Sequence, residues 1–244
     1  ENMLVKNSQA IKIVKGKKKI IKIFGKKHLD SININVPGDP SSAAFFTALT
    51  LLNKNSILKI KNVGLNSTRI GFYELLKKYG AKIKFKNLRK NNEEVYGDIY
   101  VESSKIKPIK ASKEYYVKAT DEYPVLFVIA ALTKGISIFR GINDLANKES
   151  NRIKEMQTIL KQVGIKTVAT KDGIKIYGKT FIENKNKKIN VPDLGDHRIC
   201  MSTLILSLIT GVKTKINNFE TVYTSSPSFL KIIKSLGGKF EFQK

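Results

Sequence analysis

The amino-acid sequence predicts an α/β globe of three β-α-β-α-β-β units, with one helix of each unit buried and the sheets outside. Two observations carry this prediction. A pattern of about 41 residues occurs three times, and each copy contains a helix candidate that is apolar on nearly every side. Self-similarity at a fixed period indicates a structural repeat. All-round apolarity is typical of a helix that other elements surround.

The three copies share their order of residue types. Each opens with an aspartate, continues through small and apolar residues, and closes on a glycine after an amphipathic stretch. The aspartate and the glycine are separated by 41, 43 and 41 positions, from Asp39 to Gly80, from Asp121 to Gly164 and from Asp196 to Gly237. Near-equal spacing with matched residue types indicates three equivalent units.

Each copy predicts the same elements in the same order. The buried helix candidates cover residues 41–53, 122–134 and 196–210, and the amphipathic candidates cover 67–79, 149–163 and 225–236. Runs rich in β-branched residues predict strands between and after the helices. These runs are 56–60, 82–86, 136–139, 173–177 and 212–216.

Residues 1–36 do not form a complete unit. Their pattern, a helix end followed by two strands, is that of the tail of a fourth unit without its buried helix. We therefore expect residues 1–36 to be the tail of a truncated N-terminal globe. Residues 37–244 would be a C-terminal globe of three units, at about 37–108, 109–185 and 186–244. The chain is then expected to begin inside a longer protein, with residues 36–38 as the crossover between globes.

The strong positive charge has two interpretations. Lysine and arginine number 45 against 20 acidic residues, giving a net charge of +25, which by itself favours a polyanionic partner such as RNA. However, only five of these cations are arginine, the residue that suits bidentate recognition of bases and phosphates. The lysines are spread over the whole chain, which is typical of a compositional bias. A basic polyanion- or RNA-binding module remains the alternative function.

Membrane and export signals are absent from the sequence. The longest apolar runs, 125–132 and 199–209, are shorter than the roughly 18 residues that a membrane span requires. The N-terminus lacks a basic region followed by an apolar stretch. The single cysteine, Cys200, cannot form an internal disulfide, which fits a reducing compartment. We expect a cytoplasmic protein with no membrane partner.

Residues suited to chemistry lie at predicted helix starts. They are Asp39, Asp121 and Asp196-His197-Arg198 at the buried helices, and Thr68-Arg69, residues 148–152 and residues 224–226 at the amphipathic ones. If the units pack in parallel, these ends face one pole, where helix dipoles and free backbone N–H groups attract anions. Lys148, Arg152 and Arg198 would add full charges there.

Each of these residues also has a structural interpretation. The three aspartates could simply cap helices. Lys148, Glu149 and Arg152 could form a solvated first turn with an i, i+3 ion pair. His197 lacks the second ligand that a metal site needs, so no metal is expected. Cys200 lies in an apolar helix and is expected to be a small core residue.

Four segments nevertheless resemble one enzyme family in order and spacing. They are PGDPSSAAFF at residues 37–46, DEYP from Asp121, KESNR at 148–152 and DHRI from Asp196. Together they resemble the 5-enolpyruvylshikimate-3-phosphate synthases over the whole chain. The resemblance implies an inside-out α/β barrel fold of two three-unit globes with the active site between them. It also implies transfer of the enolpyruvyl group of phosphoenolpyruvate to shikimate 3-phosphate, with release of phosphate and without cofactor or metal.

The same resemblance implies roles for individual residues. Asp121 resembles the carboxylate that contacts the shikimate 5-hydroxyl, and Glu149 resembles the acid that exchanges a proton with the phosphoenolpyruvate methylene. Lys148, Arg152 and Arg198 resemble the cations around phosphoenolpyruvate. The family's remaining substrate cradle lies in the N-terminal globe, so the chain is expected to be inactive alone and to require that globe as its partner. No nucleic-acid partner is implied.

A further position bears on inhibitor response. Ser225 falls where one branch of the family has a lysine and the glyphosate-tolerant branch has a small hydroxyl residue. This segment therefore resembles the tolerant branch. Departures from the family pattern occur at Ala146, Asn147, Asn151 and Ser226, where they affect local helix packing more than chemistry.

Overall fold

The computed structural model describes residues 1–91, 94–183 and 186–242, which contain eight α-helices and eleven strands. The helices are α1 (Asn2–Lys6), α2 (Pro40–Leu52), α3 (Gly71–Lys78), α4 (Lys113–Ala119), α5 (Tyr123–Ala131), α6 (Arg152–Gln162), α7 (His197–Thr210) and α8 (Phe229–Ser235). The strands are β1 (Ile11–Val14), β2 (Ile20–Ile23), β3 (Ile57–Gly64), β4 (Lys82–Asn91), β5 (Glu94–Glu102), β6 (Lys110–Ala111), β7 (Gly135–Arg140), β8 (Lys166–Thr170), β9 (Gly173–Gly178), β10 (Lys188–Val191) and β11 (Lys213–Ile216).

Helices α2, α5 and α7 form the centre of the fold and pack against one another. Every residue of α5 is buried, and so are most residues of α2 and α7. These helices carry apolar or small side chains on all faces, so they are stable only when neighbours cover every face. The three buried helices expected from the sequence are confirmed, each within about three residues of its expected bounds.

The sheets lie outside these central helices. The first has the order β3-β5-β4 and is antiparallel, with β5 packed on α2. The second has the order β6-β7-β9-β8, with β9 packed on α5. In the third, β10 pairs with β11. Helices inside and sheets outside give the inside-out α/β architecture.

One parallel pairing recurs around each central helix. Gly38 forms a parallel bridge with Val63, β6 pairs in parallel with β7, and β10 pairs in parallel with β11. In each case the central helix connects the two paired segments. The chain therefore repeats the path of strand, buried helix and parallel strand three times.

The amphipathic helices start later than the sequence suggests. We expected them at residues 67, 149 and 225, whereas α3, α6 and α8 begin at 71, 152 and 229. The preceding residues form turns instead. In one of these turns the side chain of Asn151 accepts a hydrogen bond from the backbone N–H of Lys154 at 3.0 Å, which makes Asn151 the N-cap of α6. A side-chain acceptor at the N-cap marks where a helix begins.

The described residues after α8 form no strand, although the repeat predicts two closing strands there. In the first two units β4 and β5, and then β8 and β9, follow the amphipathic helix. After α8, residues 238–242 are irregular, and residues 243–244 lie outside the described part of the chain. Over residues 238–242 the two closing strands expected for the third unit are therefore not observed.

The N-terminal segment contains the short helix and the two strands expected from its sequence. α1 precedes the antiparallel pair β1-β2, in which Ile11 faces Ile23. Apolar side chains in and after this hairpin are exposed, among them Ile20, Ile23 and Phe24. Among the described residues, no helix combines the length and the apolar character needed to cross a membrane.

Because β9 packs closely on α5, a single methyl group added at Gly178 is expected to lower the stability of the fold. A Cβ at Gly178 would overlap the backbone carbonyl oxygens of Ala130 and Thr133, which cannot move away as a flexible side chain could. We expect Gly178→Ala to lower the free energy of unfolding by about 1–3 kcal/mol, as measured by urea denaturation. Gly25→Ala is the control, because its Cβ would meet no atom within 4 Å. Equal stability of the two variants would contradict this packing.

Candidate active site

Arg152 lies at the centre of a cluster of charged side chains. It is the first residue of α6, and its side chain is only 1% exposed. Its Nε donates to Asp196 Oδ2 at 2.9 Å, and its Nη2 donates to Glu149 Oε2 at 2.6 Å. The predicted i, i+3 pair of Glu149 and Arg152 is therefore present. A solvated first turn is the wrong description, because the guanidinium is buried.

Asp196 connects this cluster to the central helix α7. It is fully buried and caps α7 by accepting from the backbone N–H groups of Arg198 and Ile199 at 2.9 and 3.4 Å. Ser150 Oγ donates to its Oδ2 at 2.9 Å. Burial alone would raise the pKa of Asp196, but the hydrogen bonds and positive charge of Arg152 outweigh it and hold the pKa below its ordinary value. Asp196 is therefore an anion that Arg152 neutralises.

Asp121 lies among three arginines. It belongs to a short 3₁₀ helix, Thr120–Glu122, that leads into α5. Its carboxylate oxygens lie 3.6 Å from Arg152 Nη1 and 3.7 Å from the Nη2 atoms of both Arg69 and Arg198. These separations exceed hydrogen-bond distance, so Asp121 does not occupy the guanidinium donors as a close partner would.

The capping interpretation holds for two of the three repeated aspartates. Asp39 caps α2 by accepting from the N–H groups of Ser41 and Ser42, and Asp196 caps α7. No side-chain cap accompanies Asp121 in the described structure, either in its 3₁₀ helix or at the start of α5. Its carboxylate is 32% exposed and directed at cations.

Arg69 also belongs to the cluster, although the sequence analysis placed it only at a helix start and gave it no individual role. Its Nη2 donates to the buried Ser41 Oγ at 3.0 Å and also lies near Asp121. The signal in the sequence was its place before the amphipathic helix of the first unit, which matches Arg152 in the second. Through Arg69 and Asp121, the starts of α2, α5, α6 and α7 meet at one pole.

Lys148 lies near this cluster in sequence but has its own partner. Its Nζ contacts Asp144 Oδ2 at 2.9 Å, and the hydroxyl of Tyr116 donates to the same oxygen at 2.8 Å. The hydrogen bonds from Lys148 and Tyr116 lower the pKa of Asp144. Of the five sequence-predicted site residues, the structure connects Asp121, Glu149, Arg152 and Arg198, and it places Lys148 on a separate ion pair.

Glu122 is a buried acid beside the cluster that sequence reasoning missed. It is 3% exposed, and burial raises its pKa above the ordinary value, although Ser41 and the nearby Arg198 and Arg69 oppose that shift. Its only sequence signal was its place next to Asp121.

The remaining two candidates behave differently from the cluster. Cys200 is buried, and burial raises the pKa of its thiol to about 12, so it is a core residue and protonated at neutral pH. Burial and the charge of Arg198 lower the pKa of His197, favouring the neutral imidazole. Across the described ranges, no group of three or more His, Cys, Asp or Glu side chains is placed to hold a metal ion.

This arrangement suits binding of anions together with proton transfer. Three guanidinium groups converge on one partly exposed carboxylate, that of Asp121, and Glu149 is 45% exposed beside them. The Nη1 atom of Arg152 is buried and makes no hydrogen bond to any described residue. An unsatisfied buried donor is unfavourable, so this atom is available to an acceptor entering from the Asp121 side.

The buried contact between Arg152 and Asp196 predicts a large loss of stability on substitution. Arg152→Met leaves the Asp196 carboxylate buried and unpaired, so we expect the free energy of unfolding to fall by about 3–5 kcal/mol in urea denaturation. Arg140→Met is the control, because Arg140 is exposed on β7. A loss below about 1 kcal/mol for Arg152→Met would contradict a structural role for the pair.

The lowered pKa of Asp196 predicts a pH dependence of stability. A carboxyl whose pKa is lower in the folded state stabilises the fold above its unfolded pKa, near 3.9, and this contribution is lost as pH falls through the folded pKa. The stability difference between the wild type and Asp196→Asn should therefore be largest above about pH 5 and shrink on acidification. Urea denaturation from pH 7 to pH 3 measures it, with Asp172→Asn as a control for loss of one exposed carboxylate. A difference independent of pH would contradict an ionised Asp196.

The chain is similar to proteins of one known family. Residues 1–233 match the family model of EPSP synthase (3-phosphoshikimate 1-carboxyvinyltransferase). The 3-phosphoshikimate 1-carboxyvinyltransferase of Zymomonas mobilis is 37% identical over 91% of this chain and 50% of its own length. That of Persephonella marina is 38% identical over 97% of this chain and 54% of its own length. The chain thus spans about half the length of these curated relatives.

Solved structures agree in fold. An EPSP synthase from Acinetobacter baumannii superposes with a TM-score of 0.85 at 34% identity, covering 96% of this chain and 53% of that protein. The enolpyruvyl transferase NikO from Streptomyces tendae has a TM-score of 0.70 at 14% identity, over 95% of this chain and 51% of its own, which shows a shared fold alone. By family model, sequence and structure, the chain belongs to the EPSP synthase family.

Proposed function

We propose that this chain contributes one half of the active site of a 3-phosphoshikimate 1-carboxyvinyltransferase. The whole enzyme transfers the enolpyruvyl group of phosphoenolpyruvate to the 5-hydroxyl of shikimate 3-phosphate and releases phosphate, in the chorismate route to aromatic amino acids. One observation carries the proposal: Asp121 lies among Arg69, Arg152 and Arg198, next to the Glu149–Arg152 pair. Two anionic substrates that exchange protons require cations and carboxylates together.

The two carboxylates divide the proton transfers between them. Glu149 donates a proton to the methylene carbon of phosphoenolpyruvate, and the 5-hydroxyl attacks the adjacent carbon while Asp121 accepts the hydroxyl proton. A tetrahedral intermediate forms. Loss of a methyl proton back to Glu149 then regenerates the double bond as the C–O bond to phosphate breaks, and Asp121 passes the hydroxyl proton to the leaving phosphate. General acid–base catalysis of this type typically contributes 10²- to 10⁴-fold.

The cations have a second task. Arg152 and Arg198 bind the phosphate and carboxylate of phosphoenolpyruvate and stabilise the charge of the intermediate. The Arg152 Nη1 atom that makes no hydrogen bond within the described structure supports this role. Lys148 reaches the substrates by exchanging Asp144 for a substrate oxygen. The 58% exposure of the Asp144 side chain supports such an exchange, because an exposed ion pair is weak.

The rest of the active site belongs to a second globe. We assign residues 1–36 to the end of that globe and residues 37–244 to a globe of three units, at about 37–108, 109–185 and 186–244. The exposed apolar side chains of β2 support the first assignment. The second globe is the partner that this chain needs, with phosphoenolpyruvate and shikimate 3-phosphate as small-molecule substrates. The relatives give no support to RNA binding as an alternative.

Two finer assignments complete the proposal. Ser225, exposed four residues before α8, supports membership of the glyphosate-tolerant branch, because a lysine is absent there. The unpaired Cys200 supports a reducing, cytoplasmic location.

Phosphate release tests the proposed need for a second globe. We expect the 244-residue chain alone, with both substrates, to release no phosphate, because the missing cradle supplies binding energy and excludes water. A complete enzyme in which this chain is joined to the N-terminal half of a relative should release it. Phosphate release by the chain alone that Glu149→Gln abolishes would contradict the need for a second globe.

The role of Glu149 predicts a specific kinetic change in that complete enzyme. Glu149→Gln keeps a side-chain oxygen to accept from Arg152 but removes the proton donor, so kcat should fall about 10²- to 10⁴-fold while KM changes little. Steady-state phosphate release measures both constants. Glu155→Gln, in the first turn of α6, should retain full activity. Retention of more than a tenth of kcat by Glu149→Gln would eliminate it as the acid.

A further inference from the structure

One carboxylate oxygen beside the charged cluster has two donors, a phenol and an ammonium group. The hydroxyl of Tyr116 donates to Asp144 Oδ2 at 2.8 Å, and Lys148 Nζ lies 2.9 Å from the same atom. Tyr116 belongs to α4, which leads to Asp121. Asp144 and Lys148 lie just before Glu149 in the sequence. The contact therefore joins the two segments that carry the proposed proton-transfer residues.

The side chain of Tyr116 is held in place by the core. Its ring packs edge-on against Tyr123, with the ring centroids 5.4 Å apart. Tyr123 is fully buried and packs in turn against Phe127 and Phe139. The backbone carbonyl of Tyr116 also accepts a hydrogen bond from the hydroxyl of Thr120 at 2.8 Å. A side chain packed in this way presents its hydroxyl at a fixed position.

The protonation states of the two partners suit this contact. Burial and the hydrogen bond to Asp144 raise the pKa of Tyr116, so the phenol remains a donor at neutral pH. The positive charge of Arg152 opposes that shift, so the hydroxyl lies within range of the charged cluster. The hydrogen bonds from Lys148 and Tyr116 lower the pKa of Asp144, which is therefore ionised. The phenol and the ammonium group share one anionic acceptor.

The pair of Asp144 and Lys148 has no comparable support from the core. The Asp144 side chain is 58% exposed and that of Lys148 is 29% exposed. An exposed ion pair contributes little to stability, so Lys148 can exchange its partner at low cost. Of the two contacts to Asp144 Oδ2, only the one from Tyr116 comes from a side chain packed on the core. Without that contact the carboxylate is free to move together with the lysine.

We propose that Tyr116 is a positioning residue that acts on Lys148 through Asp144. Its hydroxyl fixes the carboxylate where it competes with phosphoenolpyruvate for the ammonium group, so the substrate binds only when Lys148 leaves Asp144. The apparent affinity for the substrate is then reduced by the fraction of the protein in which Lys148 is free. The inference rests on the proposed function, because it concerns the substrate contact assigned there to Lys148.

Acetylation of Lys148 tests the contact in the 244-residue chain alone, without any enzymatic activity. Acetic anhydride reacts with an unprotonated, unpaired amine, so pairing with Asp144 slows the reaction. We expect Tyr116→Phe and Asp144→Asn each to raise the acetylation rate of Lys148 about two- to fivefold relative to Lys154, which is exposed on α6, as measured by peptide mass spectrometry. Phenylalanine keeps the ring that packs on the core. Tyr115→Phe, at the neighbouring half-buried position, is the matched control and should change neither rate.

The double variant separates positioning through Asp144 from a general loosening of the structure. If Tyr116 acts through Asp144, Tyr116→Phe should have no further effect on the acetylation of Lys148 in the Asp144→Asn background. An equal effect of Tyr116→Phe in both backgrounds would overturn the proposal, because the hydroxyl would then act by another route. Unchanged acetylation of Lys148 in both single variants would overturn it as well.

In the complete enzyme, the same variant should produce a change opposite to that of structural damage. Releasing Lys148 from its competitor should lower the KM for phosphoenolpyruvate about two- to fivefold and change kcat less, whereas a damaged site raises KM or lowers kcat. A raised KM in Tyr116→Phe would contradict the competition. Absence of phosphate release by the unsubstituted complete enzyme would instead contradict the proposed function, while the acetylation rates would still decide whether Tyr116 positions Lys148.

Discussion

The buried contact between Arg152 and Asp196 both stabilises the fold and positions the charged side chains of the candidate site. Asp196 caps α7 and Arg152 begins α6, so the pair fixes the starts of two helices from different units. The same guanidinium holds Glu149 and directs its remaining nitrogen at Asp121. Because both charges are buried, neither can lose its partner without an unpaired charge in the core. The position of the proposed acid therefore depends on an interaction that the fold itself requires.

The three apolar helices explain why such a contact forms at all. A helix without a polar face must be covered on every side, so α2, α5 and α7 pack together and the sheets lie outside them. Side-by-side packing of the repeated units brings the N-terminal ends of equivalent helices to the same pole. Polar residues at helix starts, which belong to separate units in the sequence, then become neighbours. Arg69 and Asp121, 52 positions apart, illustrate this juxtaposition.

The sequence pattern predicted the buried helices well, because the apolar character of a helix can be read from residues close together in the chain. The same pattern failed to predict the burial of side chains that depends on contacts between different units. The amphipathic pattern around Arg152 favours a solvated first turn. Burial of Arg152 becomes favourable only because its side chain pairs with Asp196, which lies 44 positions away in the sequence. The sequence placed Arg69 just before a predicted helix. Its proximity to Asp121 could not be predicted from the sequence, because it depends on how two units pack together.

The three repeated aspartates show how function can be separated from structure within a repeat. Asp39 and Asp196 accept backbone N–H groups and so meet a local need that any N-cap meets. Asp121 occupies the same place in its unit, but the chain enters α5 through a 3₁₀ turn, and Pro124 at the start of α5 removes one N–H that would need a cap. Freed from capping, its carboxylate stays partly exposed and faces three arginines. Asp121 repeats in sequence but not in hydrogen bonding, so helix capping does not account for its position, which fits the substrate-binding role proposed for it.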